Sequence, residues 1–132
     1  ELWYQTGLLH DLDWEAFPDE HPNKALSDFL SEYPEQLKLA IEEHAPSRTG
    51  KKPESLLGKY IFASDELSGL IHAASLMRLN RLEGLEASSV IKKMKDKAFA
   101  KNVSRDDIAE GFRLIGKSAE EHIKFLLDVF RK

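Results

Sequence analysis

The chain has 132 residues, 42% of them hydrophobic and 32% charged, the make-up of one soluble globular domain long enough to bury a core. A formal net charge of −4 leaves no broad basic footprint, which argues against general nucleic-acid binding but not against a nucleotide in a local pocket. With no cysteine, disulfides, thiolate metal sites and thiol nucleophiles are excluded, so any metal must be held by His, Asp or Glu. No apolar run reaches the roughly 18 residues of a membrane span. The start, Glu1-Leu2-Trp3-Tyr4, has neither the basic nor the apolar region of a signal peptide, so the expected compartment is the cytoplasm.

Most segments read as helix. Leu2 to Leu9 is apolar on nearly all sides, as in a helix buried in a core. The run stops at His10-Asp11-Leu12-Asp13, and Pro18 with its neighbouring acids marks a loop. A second helix starts at His21-Pro22, with Pro in the first turn, and presents Ala25, Leu26, Phe29, Leu30 and Tyr33. A third starts at Pro34 and places Leu37, Ala40, Ile41 and His44 at i, i+3, i+4 and i+7. Ala45-Pro46 ends it, and Ser47 to Pro53 reads as a basic, glycine-containing loop.

Leu56 to Leu79 is the most apolar stretch and belongs at the centre of a bundle. Leu67, Leu70, Ile71, Ala74 and Met77 form one face, while Ala73, Leu76 and Leu79 cover much of the other. After a polar link from Arg81 to Glu86, three shorter helices follow. Val90, Ile91, Met94 and Ala98 mark the first, and Ser104 with Asp107 and Ser118 with Glu121 fit the capping-box spacing of the others. Gly116 stands where a helix-ending glycine is expected. The fold class is all-α: a single irregular helical bundle over residues 1–132.

His10 and Asp11 are the first candidates for chemistry. At the end of a helix two neighbours can both turn toward one ion, and imidazole beside carboxylate suits a divalent transition metal with positions open to water or substrate. Alone, the pair reads equally as a polar helix end. Asp65 opens the most apolar helix, on one stripe with Gly69 and His72; it reads either as a carboxylate facing a metal or as a cap. His44, on the apolar face of its helix, taken alone reads first as a core residue bonded to backbone. His21 sits at a helix start, where the dipole favours the neutral ring that a metal requires. With His10, Asp11 and Asp65, these two histidines complete a cysteine-free ligand set. His72 and His122 read as packed core histidines, and Lys92, Lys93, Lys95 and Lys97 as a solvated helix face.

The chain resembles the HD superfamily of metal-dependent phosphohydrolases. The resemblance is carried by Gly7-Leu8-Leu9-His10-Asp11-Leu12-Asp13-Trp14-Glu15, Glu20-His21-Pro22, Ile41-Glu42-Glu43-His44 and Ser64-Asp65-Glu66-Leu67-Ser68-Gly69-Leu70-Ile71. Lys93 to Ala100 and Val103 to Ile108 are similar to a subgroup of small bacterial HD proteins. The resemblance implies an HD-type bundle with His10, Asp11 and Asp65 as metal ligands, and His21 and His44 as the further histidines that bind a second metal in dinuclear members. It also implies one or two divalent ions per chain (Mn, Fe, Mg, Zn, Co or Ni). An upstream histidine that normally completes the first metal's ligands has no counterpart among the nine residues before His10, which reads as a missing N-terminal helix.

The expected activity is hydrolysis of a phosphate ester of a nucleotide or other small metabolite by a metal-activated water, and the resemblance implies that Asp11 bridges the two ions or orients that water. Lys24 and Arg48, with Lys51 and Lys52, are candidates to meet substrate phosphate. The resemblance admits two other classes, a dinuclear-iron oxygenase on the same ligands and an inactive binding module. A small phosphorylated partner is expected, with no membrane association.

Overall fold

The computed structural model describes residues 1–132, all of its regular structure helical. No helix is long and apolar enough to cross a membrane. The chain divides into two compact units, Glu1–Phe62 and Ala63–Lys132. One long helix, α5 (Leu56–Leu76), carries the boundary.

In the first unit α1 (Leu2–Leu9) packs on α3 (Glu35–His44), with the short α2 (Asn23–Asp28) beside it. Its apolar cluster is small: Ala25, Leu30, Leu37 and Ile41, with Leu2, Leu9, Leu26 and Tyr33 at the margin. The expectation that α1 is buried all round is corrected here, because Thr6 is its one buried residue and Trp3, Tyr4 and Leu8 are exposed. An eight-residue helix that packs mainly on α3, with Trp3 meeting the Tyr60 ring of α5, covers one side only. Helix α2 also ends sooner than its apolar pattern suggested, so Phe29 lies beyond the last turn and is exposed while Leu30 folds back into the cluster. The expected loop after Ala45 contains one further turn of helix, α4 (Pro46–Thr49), started by Pro46 and ended by Gly50 at φ +75°.

Glu43 ties α3 to the start of α5. Its buried carboxylate accepts from the backbone N–H groups of Glu54 and Ser55 and from the Ser55 hydroxyl, and that hydroxyl accepts from Gly58 N–H. A carboxylate here satisfies donors that the first turn of a helix leaves open and complements its dipole. Gly58 is required by this arrangement, since a Cβ would fall 1.7 Å from Glu43 Oε2.

In the second unit the rest of α5 packs with α6 (Ala87–Lys95), α7 (Arg105–Ile115) and α8 (Ala119–Phe130) around Leu67, Leu70, Ile71, Val90, Ile108 and Ile123. Gly111 lets α7 approach α5 closely, for a Cβ there would lie 2.6 Å from Ala63 Cα. Ser118 and Glu121 form the expected capping box, Ser104 Oγ accepts from Asp107 N–H, and Gly116 ends α7 at φ +64°. Because α5 stops at Leu76, the expected burial of Leu76, Met77 and Leu79 fails, and all three are exposed. His72 likewise faces solvent instead of the core, and Ala98 lies past the end of α6.

Arg105 organises the segment between α6 and α7. Its guanidinium donates to the carbonyls of Lys93, Met94, Asp96, Phe99, Ala100 and Val103, and Ala100 is held at φ +44° within that clasp. Five N–H donors in a fixed fork make arginine the side chain suited to gathering converging carbonyls. Glu66 Oε2 accepts from Ser104 N–H at the start of α7.

A candidate metal centre

Two histidines of the first unit end their own helices in the same way. His10 is the C-cap of α1 and its Nδ1 lies 2.7 Å from Gly7 O. His44 is the last residue of α3 and its Nδ1 lies 2.5 Å from Ile41 O. A carbonyl can only accept, so both rings carry a proton on Nδ1, and in the neutral ring Nε2 is then the nitrogen with the lone pair. The terminal carbonyls of the helices are satisfied by the same bonds.

His21 reaches that state by another route. Its Nδ1 is 2.7 Å from Asp13 Oδ1, and the other oxygen, Oδ2, accepts from Ala25 N–H at 2.8 Å. Asp13 is 1% exposed, so this carboxylate is buried with its charge directed at the first turn of α2 and at the His21 ring. Around His21, Arg48 Nη1 donates to the carbonyls of Pro18 and His21. The Arg48 guanidinium lies over Trp14, whose ring meets the edge of His21.

The three Nε2 atoms converge on Asp11. His21 Nε2 and His44 Nε2 are 3.2 Å apart, and they lie 3.4 and 3.7 Å from Asp11 Oδ1. His10 Nε2 is 3.3 Å from Asp11 Oδ2, with its ring edge-on to His44. With both rings neutral and protonated on Nδ1, the two Nε2 lone pairs would stand 3.2 Å apart and repel unless a proton or a metal ion lay between them. Ligand atoms about 2.1 Å from one ion stand about 3.0 Å apart at a right angle and about 3.4 Å apart at a tetrahedral one. Asp11, His21 and His44 therefore form a group that can hold a metal ion. Their donor chemistry, imidazole nitrogen with carboxylate oxygen, fits a borderline divalent cation. Partial burial acts to raise the Asp11 pKa, but hydrogen bonds to His10 and His44 and the charges of His10 and His21 outweigh it. The carboxyl is held far below the usual carboxylate range, ready as a ligand without first losing a proton.

Of the residues singled out in the sequence, His10, Asp11, His21 and His44 thus meet within the first unit. Asp65 is the third residue of the second unit, half-buried on α5. Lys24 pairs with Asp28 at 2.8 Å and lies over the Phe17 ring. Arg48 is engaged with the His21 loop as described. Sequence reasoning missed Asp13, whose one signal is the second acid of His10-Asp11-Leu12-Asp13. It also missed Arg48 as a brace for His21, since nothing local in sequence connects residues 27 apart. Comparison with protein-family models, curated proteins and solved structures returns no match for this chain.

Proposed function

We propose that the first unit is the metal centre of an HD-type phosphohydrolase, with Asp11, His21, His44 and His10 as ligands. The observation that carries the metal reading is the common state of the three rings, each with Nδ1 committed to an acceptor and Nε2 turned toward one carboxylate. A shared proton would need only two of those nitrogens. The resemblance adds Asp65 as a further ligand.

A bound divalent ion lowers the pKa of a coordinated water toward about 7 and neutralises charge developing on phosphoryl oxygens. The chain's own part is to fix the ligands and leave one face open. Asp13 holds the His21 ring and its tautomer, as a carboxylate behind a metal-bound histidine does. Asp11 is 46% exposed at its side chain, so the ligand side of the cluster is reachable by water and by a small phosphate ester. One Asp11 oxygen faces His21 and His44 and the other faces His10, an arrangement able to orient a nucleophilic water. Lys24 is proposed as a phosphate contact, exchanging Asp28 for substrate; Arg48 serves both to brace His21 and to present positive charge.

The test is metal analysis of purified protein, followed by a phosphomonoesterase and phosphodiesterase panel with Mn, Fe, Mg, Zn, Co and Ni. The reading expects stoichiometric uptake of a transition ion and ester hydrolysis, both lost in Asp11→Ala. Uptake with oxygen consumption and no hydrolysis would replace it by the oxygenase, and no uptake of any ion would end it.

A further inference from the structure

The second unit contains a groove of about 660 Å³ that the metal centre does not use. Arg78, Lys92, Lys93 and Lys95 line it, against a single acid, Asp96. Ala74, Met77 and Leu85 provide the apolar part of its wall. The volume lies within the range of small-molecule sites, and an apolar wall with a few charged groups is their usual make-up.

An arginine held outside the lysine-bearing helix sets this basic cluster apart from an ordinary solvated helix face. None of the four cations is ion-paired, as is also true of Lys97, Lys117 and Lys132, and Lys93 Nζ lies over the Phe99 ring. Arg78 is fixed from behind, with Nη2 donating to Glu83 O at 2.8 Å, and its covered Nε–H has no acceptor. Lysines in the last turn of α6 complement that helix's dipole, but the dipole does not account for an arginine held beyond the end of α5. Ser89 adds a hydroxyl one turn before Lys92. Guanidinium and ammonium groups around one concavity, with an unsatisfied N–H among them, are the chemistry of oxyanion recognition.

We infer that this groove binds a compact organic polyphosphate of the nucleoside di- or triphosphate class, with phosphates on Arg78, Lys92 and Lys95 and the organic part against Met77 and Leu85. Four cations and one acid match the charge of such a ligand. The chain's overall charge of −4 favours a small anion over a nucleic-acid strand. The inference does not depend on the metal reading, and the experiment keeps the two apart.

Binding is measured by calorimetry in excess EDTA, so that a metal centre contributes nothing. The titrants are ATP, inorganic tripolyphosphate and a single-stranded oligonucleotide. The expected result is saturable one-to-one binding of ATP and tripolyphosphate, with ATP at least as tight and the oligonucleotide weaker. Lys92→Glu/Lys95→Glu is expected to weaken both by about tenfold or more. The charge-matched Lys117→Glu/Lys132→Glu, outside the groove, is expected to leave them nearly unchanged. Circular dichroism of both variants establishes that each is folded, and Arg78→Gln provides a second, uncharged probe of the same site. Absence of ATP and tripolyphosphate binding overturns the inference, as does equal weakening in both double variants, which would mean diffuse charge. Tighter binding of the oligonucleotide would assign the groove to nucleic acid instead.

Discussion

Between Glu1 and Phe62 the buried polar positions are Thr6, Asp13, His21, Glu43 and His44, around an apolar cluster of Ala25, Leu30, Leu37 and Ile41. From Ala63 onward they are Ser75 and His122, and the core is a continuous set of Leu, Ile and Val with Ala74, drawn from four helices and from Leu85 in the link before α6. Charge divides the same way: 6 basic against 12 acidic residues in the first unit, and 13 against 11 in the second. A unit that buries carboxylates and imidazoles must satisfy each with a partner, and those partners are what orient the three Nε2 atoms. A unit that buries hydrocarbon needs no such directed bonds and is held by packing. The difference separates two kinds of sensitivity, one to ligand and one to volume.

The largest expected effect tests the apolar side of that comparison. Leu70→Ala removes a fully buried side chain from the second unit and should cost about 2–5 kcal/mol in urea unfolding. Metal uptake by the folded fraction should stay at the wild-type level. If metal affinity falls in step with stability, the division between the units is wrong.

Asp13→Asn addresses the other side. The amide keeps the volume but removes the charge behind His21, and Ala25 N–H loses its charged acceptor. Metal affinity should drop about 10–100-fold, as for other groups that support a metal-bound histidine. Zinc titration against a competing chelator measures it, and unaltered affinity would remove Asp13 from the centre.

The smallest expected effect concerns His122, buried beside Phe112 and Phe125 with Nε2 3.2 Å from Ser64 Oγ. Burial lowers its pKa below the ordinary imidazole value, against a backbone bond to Ala63 that acts to raise it. The folded state therefore resists protonation more than the unfolded chain does. Its contribution is fully present above the unfolded value of about 6.5 and declines as pH falls below it toward the lower folded value. The urea midpoint of the metal-free protein should fall from pH 7.5 to 5.5, and His122→Gln should flatten part of that slope. An unchanged slope in the variant would mean that other groups carry it.

Much of the fold was legible because it depends on local rules. Ser118 with Glu121, Ser104 with Asp107 and Gly116 mark helix ends through bonds to near neighbours, and the spacing of Leu37, Ala40, Ile41 and His44 marks one face. That His10, Asp11, His21 and His44 belong together was legible from residue type and order, but their geometry was not. What could not be read depends on distant partners. Arg105 gathers carbonyls, Glu43 needs Gly58 empty, and Asp13 serves two separate acceptor roles; none leaves a periodic trace in sequence. The expected burial of α1 failed for a related reason: composition reports how apolar a helix is, not how many neighbours it meets.

The central claim is that His21 and His44 present Nε2 to one cation beside Asp11, and their ring nitrogens report it directly. Long-range ¹H–¹⁵N spectra of the five histidines can be recorded while one equivalent of Zn²⁺ is added. The account predicts Nδ1-protonated rings for His10, His21 and His44 before metal, and large shifts of the His21 and His44 Nε2 resonances after it. His72 and His122 should not respond. Spectra in which His21 and His44 are unchanged by zinc, or respond no more than His72, would contradict it.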